Sequence, residues 1–396
     1  MAHTERLYYT DSYLKEFTAN VIHTGPALRG VRIYLDRTAF YPESGGQPGD
    51  QGTLAGIPVL EVIDDGDEVA HVLPQGLPER PVQGSIDWAR RFDHMQQHTG
   101  QHILSAAFER TGGYKTVSFH LGAESSTIDL DSDRVGAAQI ETAEDLANRV
   151  VHENRAVKIF FRPAEEAQQM ELRKPTFRQG DIRLVEVEDF DLSACGGTHV
   201  SATGGVGMIC VRKIDRAKGQ TRVEFVCGGR ALRRARQDYA ILSEAARLFS
   251  SGAENVPELI AKQAQDLRDV GKSLQGLVGE LAEMEAARLW QQAPERAGVR
   301  VVQCVFGAGE GSKAKLVAHA IGKQAGGVAL MGVKGNPTAL FFCQSPGGKA
   351  NMSDVIKQTV AKFGGKGGGT RDFAQGGGLP EVHLEAALGF AASLLP

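Results

Sequence analysis

Apolar and polar positions alternate in short runs through the first ninety residues, as at 18–23, 31–35 and 59–63, and Gly, Pro and Asp break these runs into turns. A period of two marks half-buried strands, and strands this short and closely spaced predict a small N-terminal β-barrel or half-barrel. At Trp88 the period changes. Ile103, Leu104, Ala107 and Phe108 fall on one helical face and Gly112-Gly113 ends it, so a helix is predicted over 88–110. Strands at 116–120 and 126–130, a helix over 142–154 and a strand at 157–161 follow, an α+β pattern.

Further on, 206–211 and 221–226 read as a strand pair, and helices are predicted over 230–249 and 256–292. In the longer helix Leu267, Val270, Leu274, Leu277, Leu281 and Met284 recur in steps of three and four, a stripe that buries against another helix. The simplest partner is the preceding helix, folded back through 250–255 as an antiparallel hairpin. A dimeric coiled coil, giving a homodimer through the C-terminal half, is the competing arrangement. From residue 297 onward, apolar runs at 301–306, 327–332 and 339–343 alternate with helix-like 313–324 and 354–363, which predicts a compact α/β domain. The expected fold class is α+β, divided into a β-barrel (1–89), a core bearing the candidate ligands (90–229), a helical hairpin (230–295) and a C-terminal domain (296–396).

A length of 396 residues fits two or three domains. Cys195, Cys210, Cys227, Cys304 and Cys343 show no disulfide-like spacing, the N-terminus has no basic-then-apolar leader pattern, and no run reaches the length of a membrane span. The expectation is a cytoplasmic protein without a membrane partner. The net charge of −4 conceals asymmetry. Between 206 and 236 nine basic residues (Arg212, Lys213, Arg216, Lys218, Arg222, Arg230, Arg233, Arg234, Arg236) face only Asp215 and Glu224, and 297–396 holds ten Lys/Arg against five Asp/Glu. A polyanion would find a surface there.

The chemistry lies in two pairs, His98 and His102 in H-T-G-Q-H, then Cys195 and His199 in C-G-G-T-H. Histidines four apart lie about 40° apart around a helix, and a Cys and His on a loop with Gly196 and Gly197 as hinges complete a tetrahedron of the N/S donors that zinc selects. One Zn2+ per chain is expected. A metalloprotease is excluded, because its general-base Glu would occupy the place of Thr99. His94 is on the same helix side but about 80° from His102, which makes it a substrate-facing or RNA-facing residue rather than a ligand.

These two motifs, with F-Y-P-E-S-G-G-Q-P-G-D-Q-G at 40–52, resemble the editing domain of alanyl-tRNA synthetases and the free-standing AlaX editing proteins. The glycine-rich stretch 364–378 is similar to the DHH-associated domain that ends the synthetases and the long form of AlaX, so the resemblance spans nearly the whole chain. It implies a zinc-dependent aminoacyl-tRNA hydrolase that needs no ATP and acts in trans on mischarged alanine tRNA bearing serine or glycine; a zinc-stabilised tRNA-binding protein without catalysis is the alternative. It makes His98, His102, Cys195 and His199 the metal ligands. Four ligands leave no vacancy, so either the shell loosens to admit a water or the substrate amine, with Cys195 the dispensable ligand, or the ion only shapes the pocket. Gln47, whose amide donates and accepts, is the candidate for orienting water or the ester carbonyl, with Gly45 and Gly46 permitting close approach. Thr38 is the candidate for sensing the serine hydroxyl, since alanine, smaller than serine, cannot be rejected by size. Arg212, Lys213 and Arg222, together with Lys366 and Arg371 in the C-terminal domain, are the expected tRNA contacts.

Overall fold

The computed structural model describes residues 3–77, 81–217 and 219–396, which leaves Lys218 of the basic segment outside the described residues. Contacts gather the chain into two compact units, 1–244 and 245–396.

In the first unit the N-terminal strands form two antiparallel four-stranded sheets. One orders Glu16–Ala19, Val82–Ile86, Gly52–Leu54 and Ile57–Val59; the other orders Val21–Ala27, Gly30–Leu35, Glu68–Leu73 and Glu61–Asp65. They share an apolar core that includes Phe17, Val21, Leu35, Phe40, Leu54, Val69 and Ile86. The expected barrel does not close. Pro26 and Pro58 lie in edge strands, where a missing N–H cannot extend the ladder, so the region stays as two open sheets.

Helix α1 (Trp88–Gly112) begins where the Asp87 side chain accepts from the Arg90 N–H and ends at Gly113, in the left-handed conformation at φ 71°. Its middle is buried on every side: His94, Gln97, His98, Thr99, Gln101 and His102 are as inaccessible as Met95, Ile103 and Leu104. One wall is a four-stranded antiparallel sheet ordered Thr116–Leu121, Ser126–Leu130, Gln220–Cys227 and Ile209–Ala217, and α2 (Ala137–His152) closes another through Ile140, Ala143, Ala147 and Val150. Gly100 permits this packing, because a Cβ there would stand 2.3 Å from the Cys227 sulfur. A three-stranded sheet of Val157–Pro163, Asp181–Val187 and Asp191–Ala194, with the single turn α3 (Ala164–Ala167) after its first strand, delivers Cys195 directly after its last strand. Helix α4 covers Gly228–Leu248.

The second unit contains α5 (Val256–Gln292) and a six-stranded sheet ordered Glu295–Arg296, Val299–Phe306, Gly327–Val333, Ala339–Gln344, Phe373–Gly377 and Lys366–Gly369. Val299–Phe306 and Gly327–Val333 are parallel, joined through α6 (Gly311–Gly322); the other pairs are antiparallel, so the sheet is mixed. Ala329, Met331 and Val333 face α6 and the C-terminal end of α5, whereas Val328 and Leu330 face α7 (Met352–Phe363) and α8 (Leu384–Ser393). The glycine-rich segment is a hairpin within this sheet. Its strands approach so closely that a Cβ at Gly377 would lie 2.0 Å from the Thr338 carbonyl oxygen and one at Gly369 2.3 Å from that of Phe373. Its glycines serve strand packing. The stripe Leu267, Val270, Leu274, Leu277, Leu281 and Met284 on α5 stands exposed, and among the described residues no helix is long and apolar enough to cross a membrane.

Within the first unit, α1 is fixed to the segment 40–52 by Arg91, which is 0% exposed and ion-paired with Asp50 while donating to the Ser12 and Ala39 carbonyls. Asp50 also accepts from the Tyr41 N–H at 2.6 Å. Removing one partner strands a buried charge, so Arg91→Met should lower the unfolding free energy by about 3–5 kcal/mol, read as a reduced urea midpoint, whereas Arg233→Met, at an exposed arginine, should change it by less than about 1 kcal/mol.

Candidate metal centre

The turn Ser44-Gly45-Gly46-Gln47 has φ of 58° and 84° at its two glycines, the left-handed pair that a two-residue hairpin turn needs, and Ser44 and Gln47 exchange backbone hydrogen bonds across it. It drives Gln47 inward until the side chain is 0% exposed. There Gln47 Oε1 accepts from His98 Nδ1 at 2.7 Å and from the Thr198 N–H at 3.2 Å, while Nε2 donates to Thr198 Oγ1 at 2.9 Å. Gln47 is thus committed inside the protein through both lone pairs of its amide oxygen and one N–H. It holds a histidine.

The other two rings are held in the same manner. His102 Nδ1 lies 3.0 Å from Asp191 Oδ2, and Asp191 is in turn bonded by Arg173 at 2.6 Å and by Ser193 at 3.0 Å. His199 Nδ1 lies 3.1 Å from Thr99 Oγ1, which also accepts from the Val200 N–H. Each Nδ1 is therefore occupied, and the Nε2 atoms are left for a common point: Cys195 Sγ is 3.4 Å from His98 Nε2 and 3.3 Å from His199 Nε2. One donor atom from each of His98, His102, Cys195 and His199 lies within 4.8 Å of the others. A tetrahedron with metal–nitrogen bonds near 2.0–2.1 Å and a metal–sulfur bond near 2.3 Å has N···S edges of about 3.5 Å, close to those found here. The donor set fits a metal ion.

Ionisation agrees. Burial opposes the Cys195 thiolate, but the charges on His98 and His199 and hydrogen bonds from His102 and His199 hold the thiol well below its usual pKa. Burial alone would pull His102 down, yet its hydrogen bonds to Asp191 and Cys195 raise it to about 9. Asp191 would likewise be pushed up by burial, but His102 and Arg173 keep it below the ordinary carboxylate range. His199 is held near 3, chiefly by burial.

His98, His102 and Cys195 open on a cavity of about 580 Å³, whose wall also carries Tyr8, Tyr9 and Tyr41 and the cations Arg6, Arg173, Lys174 and Arg178. Of the predicted substrate contacts Gly45 lines it; Gly46 does not, and a Cβ there would meet the Phe119 carbonyl oxygen at 2.7 Å. His94 is buried away from this wall, and burial with the charge of Arg90 lowers its pKa to about 4. Thr38 is likewise not brought to the cavity: its hydroxyl is buried, 2.8 Å from His71 Nε2, and accepts from the Phe40 N–H. Since His71 Nδ1 must donate to the Ile33 carbonyl, its Nε2 accepts the Thr38 proton. The expected RNA contacts Arg212, Lys213 and Arg222 are each paired with a carboxylate, of Asp238, Asp215 and Asp129. In the second unit Lys366 is exposed on an edge strand and Arg371 donates to the Gly348 carbonyl. Sequence reasoning missed Asp191, Thr99 and the cavity's own cations; the nearest signals were an Asp four residues before Cys195 and the Tyr8-Tyr9 pair beside Arg6.

A family model described as "Threonyl and Alanyl tRNA synthetase second additional domain" matches residues 182–224, which include Cys195 and His199. The alanyl-tRNA editing protein AlaX-L of Pyrococcus horikoshii is 31% identical to this chain over 97% of each. The alanyl-tRNA editing protein Aarsd1 of Danio rerio is 31% identical over 72% of this chain and 73% of its own length. An alanine–tRNA ligase of Pyrococcus abyssi is 33% identical over 94% of this chain, but the match spans only 42% of that ligase.

Gly197 has no left-handed backbone requirement; what it supplies is space, because a Cβ would stand 2.2 Å from His98 Cε1 and 3.0 Å from Gln47 Oε1. Gly197→Ala should therefore displace the His98 ring and weaken divalent-metal affinity by about 10–100-fold, measured by competition with a chelating dye. Gly196→Ala, whose Cβ would meet only Tyr9 at 3.8 Å, should leave affinity within about twofold.

Proposed function

The chain belongs to the alanyl-tRNA editing family, and from that premise we propose that it hydrolyses the ester joining a wrong amino acid to alanine tRNA, with a zinc ion held by His98, His102, Cys195 and His199. The observation that carries this reading is the convergence of these four donors, three of which line a cavity that also carries tyrosines and cations. When bound, zinc would supply Lewis-acid stabilisation of charge near the scissile ester.

The remaining work falls to the chain. Gln47, Asp191 and Thr99 fix the rings and leave Nε2 as the free donor, so the site needs no rearrangement on loading. Lys174 and Arg178, the cavity cations without a paired carboxylate among the described residues, meet the phosphates of the entering RNA end, and the half-buried Tyr9 offers its ring to the unstacked terminal base. An aminoacyl ester is already activated, so positioning and oxyanion stabilisation account for most of the rate. The amino-acid end occupies the part of the cavity bounded by His98 and His102, away from bulk water. Contacts from the second unit through Lys366 and Arg371 add affinity for the rest of the RNA.

In a deacylation assay the zinc-replete protein should shorten the lifetime of Ser-tRNA(Ala), and His102→Ala should lose bound metal and at least about a hundredfold in kcat/KM together. An unchanged ester lifetime with metal-replete protein would leave only an RNA-binding role, and full activity of metal-free His102→Ala would remove the metal from the reaction.

A further inference from the structure

On the same face of α1, about 60° around the helix from His98, Gln101 lines the cavity while being only 5% exposed. Its Nε2 donates to Ser105 Oγ at 2.9 Å, and the Thr116 hydroxyl donates to the same oxygen at 2.7 Å. With the Gln101 amide nitrogen and the Thr116 hydroxyl both directed at Ser105 Oγ, the oxygen end of the amide faces away from that hydroxyl. Gln101 Oε1 has no hydrogen-bond partner among the described residues and is not sealed from solvent. A serine and a threonine on two different elements thus fix a carboxamide so that its acceptor points into the cavity, next to two of the candidate metal ligands.

Other polar groups on this part of the wall are engaged. Ser193 donates to Asp191, Ser118 donates to Asp129, Tyr41 donates to the Ser44 carbonyl, and Thr116 is the donor to Ser105. Arginine and lysine have no acceptor. Rejecting alanine while accepting serine calls for a neutral acceptor that meets a hydroxyl, since the smaller side chain cannot be excluded by bulk. The structure assigns this task to Gln101: its Oε1 accepts the hydrogen bond of the β-hydroxyl of a misattached serine, making Gln101 the specificity-determining residue. The assignment rests on the editing reading proposed above. It transfers to Gln101 the role that the sequence pattern gave to Thr38, whose proton is committed to His71.

The test is hydrolysis of Ser-tRNA(Ala) and Gly-tRNA(Ala) by the zinc-loaded full-length chain, wild type against Gln101→Met and Ser105→Ala, with metal content and circular dichroism recorded for each. Gln101→Met should lower kcat/KM for the seryl ester about tenfold and leave the glycyl ester, which lacks the hydroxyl, within about twofold. Ser105→Ala keeps Gln101 but frees its amide to turn, and should lower the seryl-to-glycyl ratio by an intermediate factor. Equal losses on both esters would mean that Gln101 meets the ammonium common to both or only supports the fold, and would overturn the assignment. If Gln101→Met fails to fold, Ser105→Ala decides alone, and an unchanged ratio refutes the proposal. A wild type inactive on both esters defeats the editing reading and this inference with it, whereas an active wild type with unchanged ratios in both variants defeats this inference alone.

Discussion

An imidazole buried away from water has two nitrogens to satisfy, and three such rings at one point make that the constraint on which this protein is built. Gln47, Asp191 and Thr99 each take one Nδ1, so that the three Nε2 atoms and the Cys195 sulfur remain for one another or for an ion. The partners come from three separate parts of the chain: a glycine turn in the N-terminal region, the first residue of the strand Asp191–Ala194, and α1 itself. Local features elsewhere follow from holding these three in register. Arg91 ties α1 to Asp50 beside the turn, Gly100 lets the helix lie against Cys227, and Gly197 leaves room for the His98–Gln47 pair.

Much of this was legible in the chain. The 3.6-residue period from Trp88, stopped by paired glycines, gave α1 nearly to its ends, and two short motifs identified four donors that do converge. Spacing shows which side chains can meet; it does not show which atom of each is already engaged. For that reason spacing alone offers Gln47 and Thr38 as groups free to act on substrate, although both are bonded inside the protein, and gives no sign of the Asp191 bond to His102. Glycine misled in a related way. At Gly196-Gly197 it suggests a hinge, whereas Gly197 is required because the His98 ring occupies the place of a side chain. The barrel expectation failed because alternation records which face is buried, while closure depends on edge strands having N–H groups to offer, and Pro26 and Pro58 do not. Charge counts overstated the basic segment for the same reason: a tally along the chain does not reveal that Arg212 and Arg222 already have carboxylates beside them.

The burial of α1 on all sides also sets the order in which this part of the molecule can be assembled. A helix whose centre reads H-M-Q-Q-H-T-G-Q-H has no continuous apolar stripe on which to dock early, and its polar groups gain partners only when strands from both before and after it in the chain have arrived. Strands and turns from both sides of α1 in the chain thus share in satisfying its buried polar groups. A nick or insertion that separates the N-terminal sheets from the helix takes Gln47 away from His98 and Asp50 away from Arg91, so the metal-binding geometry and the packing of α1 are lost by the same cut.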